Sequence, residues 1–461
     1  MNRLLSTWAA TFAVAIAAAT GAAAAAPATA PLQLPPVKFS ERTLPNGLQV
    51  VSVVNHTSPT VSVQVWYHVG SKDDPEGRSG FAHLFEHLMF KSTRYLKAEQ
   101  FDRLTEDVGG SNNAFTADDM TGYHEVVPSN HLETLIWAEA ERMSNLNIDE
   151  PTFKSERAVV EEEYRQRVLA APYGRFFNAL GSGAYLVHPY KRPGIGSIED
   201  LEAATLQDVR AFHATYYRPD NATLVIAGDF DPQQMQAWVD KYFGPVPRPA
   251  TPIPRVTADE PRWTADRRIA VTGSQVPLPA VAVVWQGPSV TAADAPALKV
   301  AAALLSAGES ARLNQSLVYR QQIASQAGFE ADLRAGPSLL TAYAVAAGGK
   351  APADVEAALL AEVQRLAAQP VSAAELAKVK TQLLTAALTE RQTPLGQASA
   401  LEDAAVVYGN PAKVNLLLQE MQAVTAADVT RVMRRYVVGT HSVSFSYTQA
   451  ADAAAGAKAQ P

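Results

Sequence analysis

From Val61 to Val69 the chain reads VSVQVWYHV, and every odd-numbered position is apolar. That alternation predicts a strand with one buried face. A similar run, LQVVSVV, precedes it and is entered through the turn-forming pair Asn46-Gly47. The period then changes. GFAHLFEHLMFKS has helical spacing, and EQFDRLTEDVGG predicts a further helix that stops at Gly109. AFTADDMTGYHEVVP returns to strand, and from Asn130 to about Arg167 the pattern is helical with a break near Pro151. TLQDVRAFHATYYRPDNATLVIAGDF predicts a helix, a turn at Pro219-Asp220-Asn221 and a buried strand.

A proline-rich stretch, Phe243 to Trp263, leaves little room for regular structure. Beyond it the order recurs. RRIAVTGSQVPLPAVAVVWQGPS reads strand, turn, strand; ALKVAAALLSAGESARLNQSLVYRQ is helical; SLLTAYAVAAGG is a strand, and two long helical stretches follow. The final VTAADVTRVMRRYVVGTHSVSFSYT echoes ATLQDVRAFHATYYRPDNATLVIAGD element by element. This predicts an internal duplication of α+β class: two similar domains, each a mostly antiparallel sheet packed with helices. The expected divisions are an N-terminal domain over 38–245, a linker over 246–265, a homologous C-terminal domain over 266–448 and an Ala-rich tail over 449–461.

Composition narrows the function. The chain has 461 residues, too many for one ordinary core. Its formal net charge of −7 gives no electrostatic footprint for nucleic acid. The first residues carry one basic side chain, Arg3, then an apolar run, then small residues with cleavage-type sites at Ala24–Ala26 and Ala28–Ala30. They predict a bacterial-style secretory signal peptide over 1–30 and a periplasmic mature protein. No later apolar run reaches the roughly 18 residues of a spanning helix, so the mature chain is expected to have no membrane span. With no cysteine, catalysis by a thiol is excluded.

The chemistry sits in His83-Leu-Phe-Glu86-His87. Residues four apart share a helix face, so both imidazoles can aim at one cation. A zinc ion with three protein ligands keeps a fourth position for water and lowers its pKa toward about 7. Glu86, directly before the second histidine, is a carboxylate able to take that proton and pass it to a leaving amine. Phe81, Leu84, Phe85 and Leu88 make part of the helix apolar, and buried polar groups need partners. The third ligand is expected on another helix. ERAVVEEEYRQR offers Glu156, Glu161, Glu162 and Glu163, of which Glu156 and Glu163 share a face. The other histidines lie singly.

H-x-x-E-H followed by a distant glutamate resembles the pitrilysin/insulinase family of metallopeptidases, the inverzincins. LPNGLQVVSV, GGSNNAFTADDMTGYHEVVP, YYRPDNATLVIAGD and SARLNQSL extend the resemblance over nearly the whole mature chain. It is similar to two-domain subunits of the kind of the mitochondrial processing peptidase β subunit and its bacterial relatives. The resemblance implies one Zn²⁺ per chain on His83, His87 and Glu163, with Glu86 as general base and Glu156 as a supporting carboxylate. It implies that Asn113, Ala114, Phe115 and Thr116 form an edge strand to which a peptide substrate adds. It also implies that Phe90 lines the pocket for the residue after the cut. Two such subunits would enclose a chamber.

The sequence departs from the family in two places. An arginine and, seven residues on, a tyrosine are expected in the C-terminal domain to stabilise the developing oxyanion. Aligned on SARL, those positions fall on Val318 and Ser325, which lack the needed groups. Arg312 and Tyr319 repeat the spacing, but Arg312 aligns with a structural arginine. The expectation is a heterodimer in which a related partner supplies the arginine–tyrosine pair. The stretch YRQRVLAAPYGRFFNAL carries no acid, which argues against arginine-directed presequence cleavage. The competing reading is a non-catalytic scaffold subunit of the same fold.

Overall fold

The structure is a computed structural model that describes residues 35–450. The expected signal peptide over 1–30 and, from residue 451 on, the expected tail lie outside those residues. The first half contains β1 (Ser40–Thr43), β2 (Gln49–Val54), β3 (Thr60–Tyr67), α1 (Phe81–Leu88), α2 (Gln100–Glu106), β4 (Ser111–Thr116), β5 (Thr121–Pro128), α3 (Leu132–Asn145) and α4 (Glu150–Tyr164). A π-helical turn, Arg165–Ala170, continues α4, followed by α5 (Gly174–Ala184), α6 (Ile198–Glu202), α7 (Leu206–Tyr216), β6 (Ala222–Gly228) and α8 (Pro232–Tyr242). Residues 243–266 carry no helix or strand. The second half contains β7 (Arg267–Gly273), β8 (Ala280–Gly287), α9 (Ala295–Ser306), β9 (Ala324–Asp332), β10 (Ser338–Ala346), α10 (Pro352–Ala368), α11 (Ala373–Glu390), α12 (Pro394–Glu402), α13 (Lys413–Ala423), α14 (Ala426–Tyr436) and β11 (Ser442–Gln449).

The sheet orders are β1-β2-β6-β3-β5-β4 and β7-β11-β8-β10-β9. In each, one pair is parallel, β2 with β6 and β7 with β11, and the rest are antiparallel. The second sheet thus repeats strands two to six of the first, and the protein has the α+β fold of two similar sheet-and-helix units. Alternation explains the packing. Val61, Val63, Val65 and Tyr67 of β3 turn into a core with Phe81, Leu84, Phe85 and Leu88 of α1 and with Leu135 and Ile136 of α3. Val281, Val283 and Trp285 of β8 do the same against α9, α10 and α14.

The expected break near Pro151 falls at residues 146–149, between α3 and α4, and Pro151 itself opens the second helix. It lies in the first turn of α4, where its missing N–H costs nothing, behind Asp149, whose carboxylate accepts from the Thr152 amide at 2.8 Å.

The outer face of each sheet is covered by a helix from the other half. α12 packs Ala398 and Leu401 on Val51, Val53, Val225 and Ala227 of the first sheet. α5 packs Phe176 and Ala184 on Ala280, Ala282, Val284 and Phe445 of the second. The loop after β4 joins the halves a second time. Arg334 pairs with Asp118 at 3.0 Å, and Asp119 accepts from Ala335 N at 2.9 Å and from Lys72 and Tyr190.

Candidate metal centre

α1 is preceded by Gly80, whose φ of +94° suits glycine, and a Cβ there would meet Ile195 O at 2.9 Å. With no side chain to cap the helix, Asp74 does so from outside. Its carboxylate accepts from Gly80 N at 2.7 Å and Ala82 N at 2.9 Å. Burial raises the Asp74 pKa to about 7 against the pull of those two amides. At the other end the Tyr123 hydroxyl donates to Phe85 O at 3.0 Å. The short helix is therefore fixed at both ends before any ligand is considered.

One buried turn of α1 presents His83 and His87, their rings 5.1 Å apart and nearly perpendicular. α4 runs alongside and delivers Glu163 and Glu156. Glu163 Oε2 lies 3.5 Å from Nε2 of His83 and 3.5 Å from Nε2 of His87. It is buried and has no hydrogen-bond partner. Two contacts of that length are too long for hydrogen bonds. They match the ligand-to-ligand spacing of about 3.3–3.4 Å that tetrahedral zinc bonds of about 2.0–2.1 Å require. Among the described residues this is the one cluster of three potential metal ligands whose ligand atoms lie within 4.8 Å of one another.

The surroundings suit a cation. Burial first, then His87, lowers the His83 pKa to about 4, which keeps the imidazole neutral with a lone pair available. Arg167, one turn past Glu163, holds Glu163 Oε1 at 2.6 Å and leaves Oε2 toward the histidines. Glu156 Oε2 is 3.8 Å from His87 Nδ1, and its other oxygen pairs with Lys91 at 3.1 Å. Glu86 lies on the same turn of α1. Burial raises its pKa, and the Thr116 hydroxyl, donating to its Oε2 at 2.7 Å, opposes the shift.

The other expected site residues fall as follows. Asn113, Ala114, Phe115 and Thr116 lie on β4, the edge of the first sheet. Thr116 touches Glu86, Ala114 packs on the main core, and Asn113 is exposed. Phe115 stacks edge-on against Trp66 at 4.8 Å over Gly122, where a Cβ would meet its ring at 2.5 Å. Phe90 is partly exposed, two residues past α1, with its ring 5.9 Å from Phe101 and 6.1 Å from Tyr123. Arg312 is committed to Glu375 through two bonds of 2.8 Å, and Tyr319 donates to Glu309. Ser325 makes only long contacts with the carbonyls of Val345 and Ala346.

Four partners escaped the sequence reading: Thr116 as the clamp on Glu86, Lys91 on Glu156, Arg167 on Glu163 and Tyr123 on α1. The Arg167 pair carried a signal, since it follows i,i+4 spacing on one helix. The others depend on which strand or second helix lies beside α1.

The sequence profile described as "Insulinase (Peptidase family M16)" matches residues 49–196, and that described as "Peptidase M16 inactive domain" matches 203–383. Helicobacter pylori zinc protease PqqE is 34% identical over 348 residues, which is 74% of this chain and 78% of that protein. A probable mitochondrial-processing peptidase subunit β of Arabidopsis thaliana is 26% identical over 86% of this chain and 75% of its own. The crystal structure of a protease from Helicobacter pylori matches with a TM-score of 0.86 at 31% identity, over 89% of this chain and 99% of that one. With two profiles in tandem, a relative of that identity over most of both sequences and the fold in common, this chain belongs to the insulinase family, M16, of peptidases.

Proposed function

We propose that the protein is the metal-bearing subunit of a zinc-dependent endopeptidase. The observation that carries this reading is the unpartnered Glu163 oxygen set equally far from two imidazole nitrogens. His83, His87 and Glu163 would hold the ion, with Glu156 steadying His87. Zinc, when bound, supplies a Lewis acid that polarises the scissile carbonyl and makes water more acidic. Glu86 moves the proton. Thr116 occupies its Oε2, so Oε1 takes the proton from the attacking water and hands it to the leaving nitrogen. The β4 edge binds the peptide backbone through main-chain hydrogen bonds, a mode that tolerates varied side chains, and Phe90 lines the pocket for the residue after the cut.

Val318 carries no donor and Ser325 is too short to replace a tyrosine there, and Arg312 and Tyr319 are engaged with Glu375 and Glu309. The proposed enzyme is therefore a heterodimer whose second, related subunit contributes an arginine–tyrosine pair. Its substrates are exported peptides or unfolded segments in the periplasm, where the sequence of residues 1–30 would direct it. No described helix is long and apolar enough to cross a membrane.

A non-catalytic subunit is the second reading, favoured by those same two positions. The experiment compares cleavage of a quenched peptide by this chain, by a partner carrying the pair, by the mixture, and by the mixture with Glu86→Gln. Activity confined to the mixture and lost with Glu86→Gln supports the proposal. Equal cleavage by this chain alone refutes the divided site, and zinc content near zero in protein handled metal-free favours the scaffold.

A further inference from the structure

Behind the metal helix lies a buried ionic cluster that the proposed reaction does not use. Arg142 of α3 is fully buried. Its Nε donates to Glu139 at 2.8 Å, and its Nη2 donates to Glu125 of β5 at 2.9 Å and to Glu139. Nη1 makes no hydrogen bond. The guanidinium carbon instead lies 4.2 Å from the ring centre of Phe101, 4.5 Å from Tyr123 and 5.6 Å from Phe90. Replacing a buried ion cluster by apolar groups of similar volume is often neutral or stabilising, so stability alone gives little reason for this one.

Its location suggests a reason. Tyr123 and Glu125 stand opposite Ala114 and Asn112 of the edge strand. The Tyr123 hydroxyl holds the Phe85 carbonyl of α1. Phe90 is the partly exposed member of the aromatic set, while Phe101 and Tyr123 are closed off. One rigid planar fork thus spaces α2, α3, β5 and the segment after α1 around a single ring that faces outward. We propose that Arg142 is a specificity-determining positioning residue: through the Phe90 ring it sets the width of the pocket for the residue following the cleaved bond. The proposal rests on the reading of Phe90 as a pocket residue.

The test needs neither partner nor turnover. The zinc-loaded full chain is titrated with peptide hydroxamates that differ only in the side chain beyond the zinc-binding group, alanine, leucine or phenylalanine. Ratios of Kd relative to the alanine compound cancel any general loss of affinity. The variants are Arg142→Lys, which keeps the charge but loses the fork, and Arg142→Met combined with Glu125→Gln and Glu139→Gln, which leaves no buried charge unpaired. Zinc stoichiometry and thermal melts certify their folding, and should the triple variant fail to fold, Arg142→Lys decides by the same criterion. The expected result is a change of about fivefold or more in the phenylalanine-to-alanine ratio, in the range that pocket contacts give. Phe90→Ala is expected to change the ratio too, and to abolish the further effect of the Arg142 variants. If Phe90→Ala shifts the ratio and the folded Arg142 variants stay within twofold of the parent, the proposal is wrong and the pocket reading stands. If Phe90→Ala shifts nothing, the pocket reading fails and the proposal falls with it.

Discussion

The Thr116 hydroxyl donates to one oxygen of the Glu86 carboxylate, and in the proposed reaction the other oxygen carries the proton. Replacing Glu86 by glutamine keeps the shape and removes the base, so turnover by the assembled enzyme is expected to fall by about 10²–10⁴ with zinc content unchanged. Metal analysis beside the rate measurement checks both halves of that expectation. Glu156 acts at one remove, between Lys91 and His87. Glu156→Gln is expected to weaken zinc binding by roughly 10–100-fold, read by competition with a chelator. At this scale the sequence was informative where chemistry is local. His83, Glu86 and His87 share one helical turn, whereas helix periodicity left four glutamates open on the second helix and only the family resemblance singled out Glu163. Thr116 was legible as part of an edge strand but not as the partner of Glu86, because that contact is made by β4 lying across α1. Arg142 carried no signal, since an arginine on a predicted helix is ordinarily solvated.

Elements that sequence periodicity missed are those held by close approach rather than by an apolar stripe. α5, GRFFNALGSGA, holds three glycines, which argue against a helix. Gly183 is there because a Cβ would meet Ile269 and Phe445 at 2.7 Å. Gly174, the first residue of α5, packs against the preceding π-helical turn, where a Cβ would meet Arg167 O at 2.2 Å and Val168 O at 2.6 Å. Those contacts are backbone and cannot step aside, so Gly174→Ala is expected to cost about 1–3 kcal/mol by urea unfolding. Because the same turn follows Glu163, zinc affinity should fall with it. α12, PLGQASALE, escaped for a related reason: its small residues form no broad stripe yet suit a tight seat on a sheet. β9, an edge strand with exposed Ser325, Gln326 and Glu330, is too polar to declare itself. The cap on α1 belongs here as well. Asp74→Ala removes acceptors from two first-turn amides and is expected to cost about 1–2 kcal/mol.

Across the whole molecule, the echo between the halves was legible as a pattern of elements, whereas the covering of each sheet by the other half's helix was not. Glu402, at the end of α12, is buried, and burial drives its pKa well above the usual carboxylate range against the pull of the Val225 amide. The folded state therefore binds a proton that the unfolded chain releases near pH 4.3, and the contribution of this group to stability declines as pH rises above that value. Glu402→Gln removes the titration, so Tm should drop less between pH 6 and pH 9 in the variant than in the parent; equal drops would contradict the assignment. The paired helices also bear on how the polypeptide can be taken apart. A nick in the proline-rich segment leaves each piece holding a lid that belongs on its sibling and missing its own. Expressed separately, the pieces should be sticky and poorly soluble; produced together, they should reassemble by complementation. An ancestral duplication that reached this arrangement became hard to undo, because neither copy can be lost without uncovering the one that stays.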